Sequence, residues 1–421
     1  MSEITPNDFD ELRHRPGTAR SALASRDFRL VWVGSFASNI GTWMQNVVLP
    51  AYVYTQTGKA SLVATLIFAQ LGPLLFLAIP AGVFADRFDR KRYLISMQIV
   101  QLTFSALLAT LALVDASFWW LFAAALGVGI GNALNAPAWS AMVPSLVKPE
   151  DLPGALALGS TVINGSRVVG PIIVAVLSQV GLTAAHFFYL NAATYLFVVI
   201  ALLNVHVPDF VPDSTTGWRR FTRGLSIARE RPTISRLLLT LASFSLFSLP
   251  YVGLFPAVAR LNFGIDESGA MYKWLYAVWG LGAALGGLSI GTTFAHRDRA
   301  RMIQVGFVGF AGALTCFAAA RSALPAFLIG FVLGFFYFFT TTAMSTEFQR
   351  RLEPENRGRV SALWFMSFGG TVPLGNLLFG PVIDRYGARW LLVFGAAWAL
   401  LLAWWCNIHA LEGRSSAKTQ G

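Results

Sequence analysis

The sequence predicts an all-α membrane protein of twelve transmembrane helices arranged as two pseudo-symmetric six-helix bundles. Three observations carry that prediction. Of the 421 residues, 55% are hydrophobic and only 13% charged, with a mean hydropathy of +0.58, well outside the balance of soluble domains. Apolar stretches of the roughly 20 residues that cross a bilayer recur between turns rich in charge, Gly and Pro. The longest polar connection, VHVPDFVPDSTTGWRRFTRGLSIARERP at 205–232, divides them into two sets of six.

Residues 1–27 carry Arg13, Arg15, Arg20 and Arg26 with no apolar run of their own, so they read as a tail and not as a cleaved signal peptide. Span one, 28–53, follows and ends before the turn at Gly58 and Lys59; span two, 60–84, runs into the charge cluster GVFADRFDRKRYL. Spans three and four, 93–115 and 117–139, meet at Asp115, and the turn KPEDLPG precedes span five, 154–179. Span six, 184–204, completes a first bundle at 28–204. After the 205–232 loop come spans 233–259, 269–293, 302–320, 324–345, 358–382 and 387–408, a second bundle at 233–408 with a tail at 409–421.

Orientation follows from Lys and Arg, which cytoplasmic loops retain during insertion. Of the 32, 25 fall on the side of the N-terminus, six on the opposite side, and Arg167 inside a span, so both termini are expected in the cytoplasm. The net charge of +11 is spread over separate short loops beside membrane helices. That arrangement suits topology and anionic lipid headgroups, not nucleic acid. Cys316 and Cys406 sit in different spans, which supports neither a disulfide framework nor a thiolate metal site. No cofactor or metal is expected, and a monomer is.

The charge cluster after span two recurs. Aligned from Gly82 and Gly291, GVFADRFDRKRY matches GTTFAHRDRARM at Asp89 with Asp298, Arg90 with Arg299 and Arg92 with Arg301, while Asp86 faces Ala295. Pro149 and Glu150 correspond to Pro354 and Glu355, and Gly170-Pro171 to Gly380-Pro381. Such repetition is a mark of transporters built from a duplicated unit.

With these residues in view, the chain resembles the major facilitator superfamily of secondary transporters: Gly82, Asp86, Arg87 and Arg90 fit its loop motif between spans two and three. Within it, WMQNVVLPAYVYTQTG, AMVPSLVKPEDLPGALAL, SRVVGPIIVAVL and RGRVSALWFMSFGGTVPLGNLLFGPVIDRYG resemble the group called transmembrane secretion effectors, which contains bacterial exporters similar to the enterobactin exporter. The resemblance implies a transporter of the bacterial inner membrane that exports a small amphipathic molecule, siderophores included. It also implies that Asp86 latches the start of span eleven in the outward-facing state, with Arg87 and Arg90 in the surrounding ion-pair network; Asp89 in the same cluster is a further gating candidate. Helix dipoles give such a latch its physical basis, although a merely topogenic basic loop would explain the arginines.

Arg167 is the only ionisable side chain deep in a span. Charge at that depth faces a cavity or a partner, so Arg167 either binds an anionic or carbonyl-rich substrate or is satisfied by helix carbonyls and amides. Gly170 and Pro171 behind it either hinge span five or pack it closely. Polar residues recur at helical spacing at Ser35, Ser38, Thr42, Gln45 and Asn46, at Asn132 and Asn135, and at Tyr337, Thr340 and Thr341. These stripes should face the interior or water, as ligand contacts or as glue between helices; the resemblance places spans one, four, seven and ten around a central cavity. Trp274, Tyr276, Tyr337 and Trp364 are the aromatic candidates for substrate contact.

No P-loop for ATP occurs, and no catalytic Ser, His and acid constellation, so neither an ATP-driven pump nor an enzyme is expected. The 21 acids lie in tails, loops or helix ends. Glu347 and Asp384 are the candidates for proton coupling. Broad multidrug antiport and a transporter-like receptor without turnover are the competing expectations.

Overall fold

The structure, a computed structural model, describes residues 16–206, 225–353, 360 and 363–408, apart from the side chains of Ala78, Ile79 and Asp86. Most of the tails and of the central loop expected from the sequence, and the first turn of span eleven, lie outside that set. The described residues contain no β-strand. In the first half the long helices are α1 (Arg26–Thr57), α2 (Ala60–Arg87), α3 (Arg90–Leu113), α4 (Phe118–Met142), α5 (Leu152–Gln179) and α6 (Ala184–Leu203). In the second they are α7 (Pro232–Phe247), α8 (Ala270–Gly291), α9 (Arg299–Ala319), α10 (Ala323–Arg350), α11 (Thr371–Tyr386) and α12 (Ala388–Trp405).

Among the described residues, ten helices are long and apolar enough to cross a membrane, against the twelve expected. The two that fall short are α1 and α7, which stand at corresponding places in the two halves. α1 is long enough at 32 residues, but the stripe of Ser35, Ser38, Asn39, Thr42, Gln45 and Asn46 lowers its apolarity. α7 is apolar and ends after 16 residues. Its expected span continues as two short helices, Pro250–Gly253 and Phe255–Phe263. Pro250 has no N–H for the preceding turn, and the Ser248 hydroxyl at the break donates to the Gly395 carbonyl of α12 at 2.8 Å.

Helix ends are set by local chemistry. Ser25 caps α1 by accepting from Phe28 N–H, and Gly58 ends it at φ 62°, a left-handed turn that glycine adopts without strain. Asp89 caps α3 through Arg92 N–H at 2.7 Å, and its repeat, Asp298, caps α9 through Ala300 N–H at 2.9 Å. The duplicated aspartate is therefore a helix cap in both halves.

Packing repeats as well. α1 packs on α5 and α6, α2 on α4, and α3 on α4 and α6; shifted by six, α7 packs on α11 and α12, α8 on α10, and α9 on α10 and α12. The two sets meet along α2 with α11 and α5 with α8. One end of the molecule gathers the basic turns around Arg90, Lys148, Arg299 and Arg351. There Lys91 Nζ donates to the Val205 carbonyl at 2.8 Å, Ser25 to the Leu146 carbonyl at 2.8 Å, and Arg231 to the Arg351 carbonyl at 3.0 Å.

Candidate functional site

Between α5, α10 and the segment leading into α11 lies a cavity of about 580 Å3. It is lined by Ser160, Ile163, Asn164 and Arg167 of α5, by α10 residues from Phe338 to Arg350, and by Trp364, Phe365 and Phe368. Exposure rises from Arg167 toward Ser160 and from Thr341 toward Gln349 and Arg350, so the cavity opens at the basic end. The wall nearest α11 is irregular: Met366–Gly370 forms a π-helical turn, a feature often found at functional positions.

Arg167 sits at the deep end. Its guanidinium carbon lies 4.6 Å from the Trp43 ring centre and 4.0 Å from that of Phe338. Each face contact is worth about 0.5–2 kcal/mol, which offsets part of the cost of a cation at membrane depth. Nε and Nη1 are buried without a hydrogen-bond partner among the described residues. Ring faces flank the guanidinium, and no helix carbonyl or amide among the described residues accepts from Nε or Nη1.

At the opposite end the two sets are tied shut. Asp384, on the last turn of α11, accepts from the backbone N–H groups of Ala60 at 2.6 Å and Ser61 at 3.0 Å. These are orphan donors of α2, whose own N-cap residue, Lys59, supplies no side-chain cap. A β-carbon at Gly380 would stand 2.8 Å from Ser61 Cα, so α11 and α2 touch backbone to backbone one turn deeper. Thr55 at the end of α1 donates to Glu267 at 3.3 Å; Glu267 is 6% exposed, and its second oxygen is buried without a partner among the described residues. The neighbouring loop is firm, since the Ser268 hydroxyl and N–H both donate to Asp266 and hold its carboxyl below the usual carboxylate range.

Of the substrate-contact candidates, Arg167 and Trp364 line this cavity, and Trp364 packs on Phe348 at 4.8 Å. Gln45 does not line it: 2% exposed, it accepts from Ser105 at 2.7 Å and Asn191 at 2.8 Å, a buried network joining α1, α3 and α6. Asn135 accepts from Gln98 at 3.1 Å, and Asn46 and the exposed Asn132 stand outside the lining. Tyr337 is buried in an aromatic cluster, stacked 5.8 Å from Trp279; Tyr276 belongs to the same cluster, and Trp274 is half-buried outside the cavity. Gln45 and Asn135 are engaged in hydrogen bonds between helices, and Tyr276 and Tyr337 in ring contacts.

The gating candidates divide too. Asp86 lies on α2, with its side chain outside the described set. Asp89 is a cap, Arg87 is exposed, and Arg90 donates to the Ala141 carbonyl at 3.2 Å. Among the described residues, a β-carbon at Gly82 would meet nothing within 4 Å. Gly170 packs tightly, since a β-carbon there would stand 2.7 Å from Trp43 Cβ, and α5 continues unbroken through Pro171. The pair packs closely within an unbroken helix. Glu347 is 7% exposed and paired with Arg351 at 2.6 Å.

Sequence reasoning did not select Trp43, Phe338, Phe365 or Phe368 as contacts. It also passed over Ser160 and Asn164, although these precede Arg167 at helical spacing on one face of α5. Thr342, Ser345, Thr346 and Gln349 likewise extend the face of Thr341 toward the open end.

Comparison with known proteins agrees with this architecture. The chain is 24% identical over 382 residues to macrolide efflux protein A of Streptococcus pyogenes, covering 87% of this chain and 92% of that one. It is 24% identical over 368 residues to the staphyloferrin A transporter of Staphylococcus aureus, covering 84% and 88%. To the enterobactin exporter EntS of Salmonella typhimurium it is 26% identical over 344 residues, covering 80% and 81%. In fold it is similar to a bacterial homolog of the human lysosomal transporter Spinster in an inward-facing, unoccupied conformation, with a TM-score of 0.71 at 18% identity over 91% of this chain and 96% of that one. A bacterial homologue of the iron transporter ferroportin in an inward-facing state matches at a TM-score of 0.68 and 16% identity, over 90% and 98%. Residues 17–417 match the family described as transmembrane secretion effector, and the chain belongs to that family of the major facilitator superfamily.

Proposed function

We propose that this protein is a secondary active transporter that exports a small amphipathic molecule across the bacterial inner membrane by alternating access. The observation that carries the reading is one cavity, open at the basic end and closed at the other by hydrogen bonds between α2 and α11. With the basic end in the cytoplasm, as the Lys and Arg distribution favours, this is a loading state. Substrate enters beside Arg167; the seams at the outer end then part while those at the inner end close.

The bundles at 28–204 and 233–408 act as the rocking units. Asp384 holds the outer end of the α2 and α11 seam in the loading state, and Asp86, on the other end of α2, takes hold of the start of α11 when the inner end closes. Relatives named for macrolide efflux, a staphyloferrin and enterobactin point to natural-product-sized cargo. No carboxylate lines the cavity among the described residues, and Glu347 and Asp384 are each engaged with partners. We therefore place proton coupling, if the cargo itself does not supply the gradient, at the gates and not in the cavity.

Export is tested with inverted vesicles from cells that overproduce the chain, by uptake of labelled macrolide, catecholate and polycarboxylate compounds with and without an imposed proton gradient. Accumulation against a gradient, abolished by Asp384→Ala, supports transport. Saturable binding with no accumulation of any compound would convert the reading into that of a receptor.

A further inference from the structure

We propose that the cavity is selective for organic anions: molecules carrying a carboxylate or comparable acidic oxygen group beside a flat apolar portion. The inference rests on the reading of this cavity as the cargo site. It starts from the charges. Arg167 stands at the deep end and Arg350 at the mouth, and no Asp or Glu is among the described lining residues. The acid on the same stretch of α10, Glu347, is buried and neutralised by Arg351 at 2.6 Å. A cation entering would meet like charge with no counter-ion, whereas an anion would meet a guanidinium.

The geometry sharpens the argument. Trp43 and Phe338 occupy the ring-contact faces of Arg167 and bring no hydrogen-bond acceptor. Its Nε and Nη1 have no partner among the described residues, and the planar fork of a guanidinium suits an oxyanion. Leaving such donors unmatched in a buried place costs more than matching them gains elsewhere, so the site is incomplete until an acceptor arrives. The far wall, Trp364, Phe365 and Phe368, is aromatic and offers a flat apolar surface to the rest of the molecule.

The test reads charge preference without knowing the cargo. In the full chain with Cys316→Ala and Cys406→Ala, a thiol is placed in the cavity by Ser345→Cys. Its rates of reaction with negatively charged sulfonatoethyl methanethiosulfonate and positively charged trimethylammonioethyl methanethiosulfonate are compared, each relative to a free thiol in solution. The negative reagent is expected to be favoured by about tenfold or more. Arg167→Lys should keep that preference and Arg167→Gln should bring it close to parity, in preparations that remain monodisperse. Preference for the positive reagent, or a preference indifferent to Arg167→Gln, overturns the proposal. Absence of transport in vesicles would instead sink the exporter reading and leave this ratio untouched.

Discussion

Replacing Asp384 with Asn should open the outer end. The wild-type carboxylate accepts from Ala60 and Ser61 N–H at 2.6 and 3.0 Å and caps an α2 terminus whose own N-cap residue, Lys59, provides no side-chain cap. A capping side chain contributes about 0.5–2 kcal/mol, and water competes for this one because Asp384 is exposed. Asn keeps one acceptor and loses the charge that meets the helix dipole. Its cost is then about 1 kcal/mol, and that of Asp384→Ala about 2 kcal/mol. These shifts multiply the population open at the outer end by about fivefold and thirtyfold. Ile67→Cys reports that population, since Ile67 is buried on α2 against Gly253 while the end is closed. In cells, with the native cysteines replaced, a membrane-impermeant thiol reagent added outside should label the introduced thiol faster in the order wild type, Asn, Ala at the aspartate position. Equal rates in all three would refute the latch.

Asp86→Asn should lower export while membrane insertion stays normal, read by vesicle uptake and by surface labelling of the same preparations. Gln45→Ala leaves the buried Ser105 and Asn191 side chains short of an acceptor; a stability loss of about 1–3 kcal/mol, visible as a lower melting temperature, should come without a change in cargo affinity. Gly170→Leu drives a side chain into Trp43 and the Ile40 carbonyl and should destabilise the chain by about 1–3 kcal/mol or more, measured by thermal unfolding in detergent.

Much of the scaffold was legible because hydropathy and turn chemistry are local. The ends of α2, α4, α5 and α6 fall within about three residues of the expected spans. The break in α7 was not, because Pro250 stands inside a continuous apolar run, SLPYVGLFP, that reads as one span. In the site, Arg167 announces itself as a lone charge among apolar residues. Its setting does not: Trp43 and Phe338 come from two other helices, and which side of a polar stripe meets the cavity depends on packing. Gln45 carries the same stripe signal as a ligand contact and is absorbed by Ser105 and Asn191. Asp384 has a partner 324 positions away in the chain, and nothing in its own neighbourhood signals a cap.

The two helices that fall short of crossing on their own, α1 and α7, open each half, and this bears on biosynthesis. A ribosome delivers α1 first, yet its row of Ser, Asn, Thr and Gln makes it a poor stop in the lipid. α2, far more apolar, follows after a two-residue turn. Insertion should therefore proceed by hairpins, with α1 retained through α2 and α7 through α8. The side chains that give a helix its place in the interior thus oblige it to enter the membrane in company.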